Sequence, residues 1–420
     1  MLKKNLKIGF AGLTHLGTVY AVAASEKKFK VVAFHEDEKI IKNLNNFDIS
    51  YFEPNLKKIL KKNKKNIFFS YKYKDLKLCD IVFVSYDTNT DKFNNSDLKS
   101  LKKKINKLIP NLKKTALLVI LSQVKPGFTR KINWPKKQLF YQVETLVFGK
   151  ALKRAINPER IIIGAHNESL NNKKIIDYFS EFSKNLIFVN YETAEITKIS
   201  INLLLISNIT ASNLLSEICE KNNADWSQVE KALRLDKRIG KNSYIRPGMG
   251  ITGGNLERDL QTINLLCKDQ KLYQHQKIVN EYINFSNYRK NWIADIVSKL
   301  KKKNNKSIKI GLLGLTYKEN TNSIKNSCSI DLIKKFNKDE FFTYDPKASK
   351  NIKFKNIKRC ENMNQVILKA DIIIIATPWR EFRKIKIDSK NCKYLIDPFG
   401  IFQYKANSHH FGYFTMGKNL

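Results

Sequence analysis

Acidic side chains are scarce in this sequence of 420 residues: 38 Asp and Glu stand against 77 Lys and Arg, a formal net charge of +39. Such a deficit makes a polyanion the first partner to consider. The lysines, however, scatter over the whole length in short clusters such as Lys57-Lys58, Lys61-Lys62, Lys64-Lys65 and Lys301–Lys303, where helix surfaces and loops are expected. Asn and Ile are abundant too, a joint excess that compositional drift of a genome would give, and the aromatics fall within apolar segments rather than in a stacking array. We read a solvated basic surface and expect no nucleic-acid partner. Long apolar runs are also absent: Ile308–Leu313 and Ile372–Ala376 are typical, and none approaches the roughly 20 residues of a membrane helix. No membrane association is expected. Lys3 and Lys4 lead straight into a strand without a signal-peptide pattern, so the expected location is cytoplasmic. The six cysteines form no CxxC pair, which argues against structural zinc and a disulfide framework. Among six histidines only His409-His410 are adjacent, and no metal site is expected.

What is present is enough apolar residue, 42%, to exclude disorder as the dominant state, and enough length for two or three packed units. The first segment opens on Lys7-Ile8-Gly9-Phe10-Ala11-Gly12-Leu13-Thr14-His15-Leu16-Gly17 and reaches a second strand at Lys30–Phe34, the opening of a βαβ unit. Ile67–Ser70, Ile81–Ser85, Ala116–Leu121 and Ile161–Gly164 read as further strands of a parallel sheet, separated by lysine-rich amphipathic stretches. From Tyr191 to Phe285 the pattern becomes helical. Thr193–Cys219, without Gly or Pro, predicts one long helix, apolar enough to be buried between domains or against a second subunit. Near Ser307 the first pattern restarts with Ile308-Lys309-Ile310-Gly311-Leu312-Leu313-Gly314-Leu315, and strands follow at Phe341–Tyr344, Ile372–Ala376 and Tyr394–Ile396. The expected fold is α/β: two Rossmann-like parallel-sheet domains, residues 1–190 and 291–420, joined by a long central helix and a helical dimerisation domain, residues 191–290.

Short blocks in a fixed order carry a resemblance. They are Tyr51-Phe52-Glu53-Pro54 with Leu56; Thr88-Asn89-Thr90-Asp91; Asn157-Pro158-Glu159-Arg160-Ile161-Ile162-Ile163-Gly164; and Ala194-Glu195 with Lys198 and Asn202. Asp236-Lys237-Arg238-Ile239-Gly240 and Tyr244-Ile245-Arg246-Pro247-Gly248 follow, leading to Asp259. Gly314-Leu315-Thr316-Tyr317-Lys318 with Thr321, Tyr344-Asp345-Pro346, Trp379-Arg380-Glu381-Phe382 and Gly417-Lys418 complete the series. Together they resemble the UDP-glucose/GDP-mannose dehydrogenase family of nucleotide-sugar dehydrogenases over nearly the whole chain. The resemblance implies NAD as cofactor, a nucleotide-sugar substrate, oxidation of a sugar's C6 alcohol to aldehyde and then acid, and a homodimer or higher homo-oligomer.

A dinucleotide fingerprint needs glycines for the tight turn, the pyrophosphate approach and helix packing, with an acid about 20 residues on for the ribose. Here Gly12 and Gly17 hold the outer places and Thr14 the middle one. His35 stands at the ribose position, followed by Glu36, and either could contact the hydroxyls. Loss of NAD binding is the competing reading. By resemblance Thr88 and Gln123 belong to the cofactor site, and Lys325 stands where an arginine usually serves the pyrophosphate.

Oxidising an alcohol requires a proton acceptor near that oxygen and a donor that stabilises the alkoxide. Lys198 and Asn202, four apart on a predicted helix, can converge on one oxygen. The resemblance makes Lys198 the oxyanion stabiliser, lets Asn202 orient the oxygen or a water, has Asp259 hold that network, and gives Glu144 a part in hydrolysis. It also assigns Arg238, Tyr244 and Lys318 to the substrate, Arg238 from across a dimer. The family's second oxidation uses a cysteine thiolate that captures the aldehyde. Asn255 occupies that place, and an amide nitrogen, its lone pair delocalised, is no nucleophile. Cys267, about two turns beyond Asp259, offers no evident rescue. Gln123 replaces a hydroxyl of the family's Ser-Thr-Val block, Phe148 a second glutamate, and Phe399 an arginine. The expectation is a divergent dehydrogenase of a UDP- or GDP-hexose that stops after one hydride transfer. The alternative is a catalytically silent homologue that binds a sugar nucleotide or regulates an active paralogue.

Overall fold

Runs of β-branched and aromatic residues, three to five long, become the strands of two separate sheets. The structure, a computed structural model, describes residues 6–91, 93–170, 172–304, 308–349, 352–387, 392–402 and 411–418; His409 and His410 lie outside the described residues. The chain divides into two units, Met1–Ile201 and Asn202–Leu420.

The strands of the first unit are β1 (Lys7–Ala11), β2 (Lys30–Phe34), β3 (Ile67–Ser70), β4 (Ile81–Val84), β5 (Leu117–Ile120), β6 (Leu139–Gln142), β7 (Ile161–Ala165) and β8 (Leu186–Val189). Its helices are α1 (His15–Glu26), α2 (Glu38–Asn45), α3 (Leu56–Lys62), α4 (Leu98–Leu108), α5 (Ala151–Ile156) and α6 (Lys173–Ser180). The sheet runs β3-β2-β1-β4-β5-β6-β7-β8. Every residue of β4 and β5 is buried, as a strand covered on both faces requires. Helix α1 is buried from Gly17 to Ser25, and its alanines 21, 23 and 24 let it lie close to its neighbours. Leu101, Ile105 and Leu108 turn the inner face of α4 to the core while Lys99, Lys102, Lys103 and Lys107 point outward. Each fully buried valine or isoleucine contributes roughly 1.5–3 kcal/mol over exposure.

One expectation is corrected here. The sheet is not parallel throughout, because β6 and β7 pair antiparallel, Phe140 opposite Ala165. Strands β1 to β6 share one direction, and β7 and β8, parallel to each other, take the opposite one. Strands β6 and β8 escaped the sequence reading because Leu139-Phe140-Tyr141-Gln142 and Leu186-Ile187-Phe188-Val189 lack flanking glycine or proline punctuation on both sides.

A helix of 31 residues, α7 (Tyr191–Lys221), begins in the first unit and continues into the second. By length and composition it could cross a bilayer, although no uninterrupted apolar run in it reaches that length. Counting uninterrupted apolar runs missed it, since polar residues interrupt the sequence. Nor is the helix buried all round in the single chain: Leu204 is 67% exposed, and Leu214, Leu215 and Ile218 also face outward. Its buried polar residues, including Lys198, Asn202 and Asn213, bond within the protein.

In the second unit α7 is followed by α8 (Trp226–Leu235), α9 (Gly254–Asp269), α10 (Tyr273–Lys290) and α11 (Trp292–Asn304), the helical stretch expected. Strands β9 (Ile310–Leu313), β10 (Phe341–Tyr344), β11 (Ile357–Arg359), β12 (Ile372–Ile375), β13 (Tyr394–Ile396) and β14 (Gly412–Phe414) then form a wholly parallel sheet in the order β11-β10-β9-β12-β13-β14. Helices α12 (Cys328–Lys335) and α13 (Met363–Lys369) connect them. The four isoleucines of β12 are fully buried. The order of the central strands, 3-2-1-4-5 in the first sheet, is that of a Rossmann sheet, whose ligand crevice opens where β1 and β4 diverge.

Candidate functional site

The glycine turn after β1 is built as a dinucleotide turn. Gly12 has φ +101°, and its N–H donates to the Phe34 carbonyl at 2.9 Å, tying the turn to the end of β2. A Cβ on Gly17 would lie 1.8 Å from the Gly12 carbonyl oxygen, so only glycine lets α1 start this close to the turn. Thr14, in the middle place, is the N-cap residue of α1 with ordinary extended geometry (φ −79°). Its hydroxyl is buried without a partner at a helix N-terminus, where a phosphate oxygen would accept from it. The turn therefore fits a pyrophosphate despite its side chain.

Around this turn the ends of β2, β4 and β5 meet. His35 is 8% exposed and its Nδ1 accepts from the Asp37 N–H at 3.0 Å; burial lowers its pKa, so the ring is neutral. Glu36 is paired with Lys104 at 3.0 Å. Thr88 donates its hydroxyl to the Gln123 carbonyl at 2.9 Å, so these two expected cofactor residues do come together. Ser122 donates to the carbonyls of Val84 and Tyr86, at 3.2 and 2.6 Å, locking β5 to β4 at the crevice.

Glu53, from the Tyr51-Phe52-Glu53-Pro54 block, is 5% exposed and accepts from the N–H groups of Gly149 (2.9 Å), Ala151 (2.8 Å) and Leu152 (3.4 Å). It thus satisfies the N-terminus of α5, and it meets His15 at 3.2 Å. Phe148, in place of a second glutamate, stacks on that His15 ring with centroids 4.1 Å apart. Glu195 is fully buried and accepts from Gly127 N–H (2.6 Å) and Thr129 N–H (2.8 Å), clamping the loop after β5. Sequence reasoning assigned neither glutamate a role; their appearance in ordered blocks was the one available signal, because their partners lie 66 to 99 residues away.

Helix α7 supplies the polar residues expected to act on the alcohol. Gly164 allows the helix start to approach β7, for a Cβ there would sit 2.9 Å from that of Ala194. Lys198, 5% exposed, pairs with Glu144 at 3.3 Å within the first unit. The helix runs unbroken from Lys198 to Asn202, so these two stand one turn apart. Within the second unit, the Asn202 amide donates to the fully buried Asp259, whose other oxygen lies 3.8 Å from Arg258 Nε.

Asn255 occupies the first turn of α9 and is exposed, with its side-chain oxygen 3.3 Å from Arg258 Nη2. Beside it, Gly253 (φ +84°) lies under the Tyr317 ring, and Lys325 packs on Gly254, 3.3 Å from where a Cβ would be. Lys318 reaches over the Tyr317 ring at 5.6 Å. These second-unit residues form one cluster around the start of α9. Tyr244 is 47% exposed, and Arg238, its side chain 90% exposed, binds Asp236 of its own loop at 2.6 Å. Gly248 N–H donates to Asn213 on α7, and Gly417 N–H to Glu220, which explains why both motif glycines lie against that helix. Asp397 folds its own loop by accepting from the Phe399 and Phe402 N–H groups.

All six cysteines are free and buried. Burial pushes Cys79 and Cys328 up to about 12 and Cys392 to about 11, and raises Cys219 and Cys360. Cys267 lies eight residues beyond Asp259 on α9, about 12 Å along the axis. None offers an exposed thiolate in place of Asn255.

Three models of the UDP-glucose/GDP-mannose dehydrogenase family match in succession: the NAD binding domain over residues 6–186, the central domain over 192–287 and the UDP binding domain over 311–404. The chain is 28% identical over 397 residues to the UDP-glucose 6-dehydrogenase of Rickettsia bellii, covering 90% of this chain and 91% of that one. It is 24% identical to a putative UDP-glucose 6-dehydrogenase of Bacillus subtilis, with 90% of each covered. Among solved structures, a UDP-glucose dehydrogenase from Pyrobaculum islandicum superposes with a TM-score of 0.85 at 20% identity, covering 97% of this chain and 96% of that one. A UDP-D-ManNAc dehydrogenase from Pyrococcus horikoshii gives 0.84 at 21%, with 98% and 99% covered.

Proposed function

This chain belongs to the UDP-glucose/GDP-mannose dehydrogenase family and is a nucleotide-sugar dehydrogenase with that family's NAD-binding and UDP-binding domains; on that premise we propose that it oxidises the C6 alcohol of a UDP- or GDP-hexose by one hydride transfer and stops at the aldehyde. The observation that carries the single step is Asn255: the nucleophile's position holds an amide, and all six thiols are buried.

In this reading the glycine turn, the Thr14 hydroxyl and the β2 end hold the cofactor, with Thr88 and Gln123 closing the crevice. NAD, when bound, accepts the hydride. Lys198 places a buried positive charge for the developing alkoxide and keeps its proton, while its Glu144 partner orients that ammonium and is the carboxylate that accepts the hydroxyl proton. Asn202, held by Asp259, orients the substrate oxygen. Lys318 supplies a cationic group for the sugar nucleotide, and Lys325 one for the cofactor pyrophosphate, as a point charge rather than an arginine fork. Without a thiol no covalent adduct forms with the aldehyde, which leaves after the first step. Two chains pair in this reading, with the exposed apolar residues of α7 supporting the assembly and Arg238 reaching the neighbouring copy. The division into domains at about 190 and 290 goes with it.

The test is stoichiometry. Purified protein given NAD and a panel of nucleotide sugars is expected to yield one NADH per sugar and an aldehyde. Two NADH per sugar with a uronate would sink the single-step reading. Thr14, His35 and Asn255 together motivate the alternative of a silent homologue, which calorimetry would support by finding a bound sugar nucleotide without NAD affinity or turnover.

A further inference from the structure

The end of β2 has exchanged a hydrogen-bond acceptor for a donor. The two sheets carry the same turn: Gly12 and Gly314 both have φ +101°, and each donates its N–H to the last residue of the neighbouring strand, Phe34 at 2.9 Å and Tyr344 at 2.8 Å. The next residue in the second sheet is an acid, Asp345. In the first it is His35. Because His35 Nδ1 accepts from Asp37 N–H, the proton of the neutral ring sits on Nε2, which can only donate.

The neighbouring carboxylates are each already engaged by a donor. Glu36 is held by Lys104 at 3.0 Å, and Asp37 accepts from Lys39 N–H at 2.8 Å as the N-cap of α2. Lys104 lies over the ring of buried Tyr86 at 4.5 Å, and Tyr86 backs the Gly12 turn, 2.6 Å from where a Cβ would be. One cluster therefore joins the fingerprint turn, His35 and an ammonium group. Helix α4, which brings Lys104, carries four further lysines and no acid between Leu98 and Leu108.

An acid at this place accepts from the ribose hydroxyls and repels a phosphate on the 2′-oxygen, whereas a cationic or donor group accommodates it. We propose that the ribose site of this chain admits a 2′-phosphate, with His35 Nε2–H and Lys104 as its donors, so that the protein binds NADP as well as NAD. The proposal rests on the reading of the first unit as the dinucleotide site.

Calorimetric titration of the full chain with NAD⁺ and NADP⁺ tests it without any turnover. The expected result is NADP⁺ bound within about tenfold of NAD⁺, with His35→Asp lowering NADP⁺ affinity relative to NAD⁺ by about tenfold or more. Lys104→Ala should weaken NADP⁺ alone, and His35→Asn, which keeps a donor, should retain it; a melting curve for each variant confirms folding. NADP⁺ bound about 100-fold more weakly than NAD⁺, or an NADP⁺ to NAD⁺ ratio unmoved by His35→Asp, would overturn this proposal and leave the NAD reading intact. Failure of both dinucleotides to bind would overturn both.

Discussion

Lys198 and Glu144 form an ion pair of 3.3 Å in which neither side chain is more than 13% exposed. A buried pair contributes little net stability over an apolar one, yet removing one partner strands the other charge, at about 3–5 kcal/mol. Lys198→Met should therefore lower both stability and turnover. Adding Glu144→Gln should recover most of the stability, read by urea melts, but not the turnover, read as NADH, which stays down by about 100-fold or more. Recovery of both would show that Lys198 is structural.

Asn202 and Asp259 give a second separable pair. Asp259 is fully buried and receives the Asn202 amide. Asn202→Asp sets two carboxylates against each other, so they share a proton and one pKa rises. A raised folded pKa means that the native state holds the extra proton. Stability of the variant is then greatest in acid and falls as pH rises through the raised value. Melts of variant and wild type at pH 5 and pH 8 should show the larger deficit at pH 8.

The sequence and the structure agree where local pattern decides. Strands β2, β3, β10 and β13 have the expected ends, because apolar runs bounded by turn residues are a local signal. The Gly12 turn was legible for the same reason. What local pattern cannot carry is the identity of a distant partner. Glu53 reaches α5 about a hundred residues on, Glu195 clamps a loop 66 residues back, and the Glu36–Lys104 pair depends on how α4 is laid beside β2. The antiparallel β6–β7 pair was hidden likewise, since strand direction is set by the path of the connection and not by the strand's own residues.

Asn255→Cys should fold normally, for the position is exposed on the first turn of α9 and surface changes of this kind stay within about 0.5 kcal/mol. A thiol at a helix N-terminus beside Arg258 and Lys325 has its pKa lowered. The variant is expected to react with iodoacetamide faster than wild type and to raise the yield from one NADH per sugar toward two. Fast alkylation without the second NADH would mean that a further group of the second oxidation is missing, with Gln123 the first candidate.

Asp80 gives a pH signature to the first sheet. Burial raises its carboxyl, but the Lys113 ammonium at 2.6 Å and the Lys7 N–H at 2.9 Å more than reverse this, and it lies below its ordinary value. The unfolded chain therefore binds more protons than the native one, and the stabilisation is complete above the ordinary carboxylate pKa of about 4 and lost as pH falls through the depressed value. Asp80→Asn should cost about 1.5–3 kcal/mol at pH 7, the worth of a charged hydrogen bond, and the difference from wild type should shrink toward pH 2. Asp371 is the counterpart in the second sheet, where it accepts from Lys309 N–H at 3.0 Å but meets Lys393 only at 3.9 Å, with that lysine 66% exposed. An exposed, longer pair contributes less. Asp371→Asn should accordingly cost less than Asp80→Asn at pH 7, and equal losses would mean that the backbone N–H bond common to both, rather than the lysine, holds the start of each sheet.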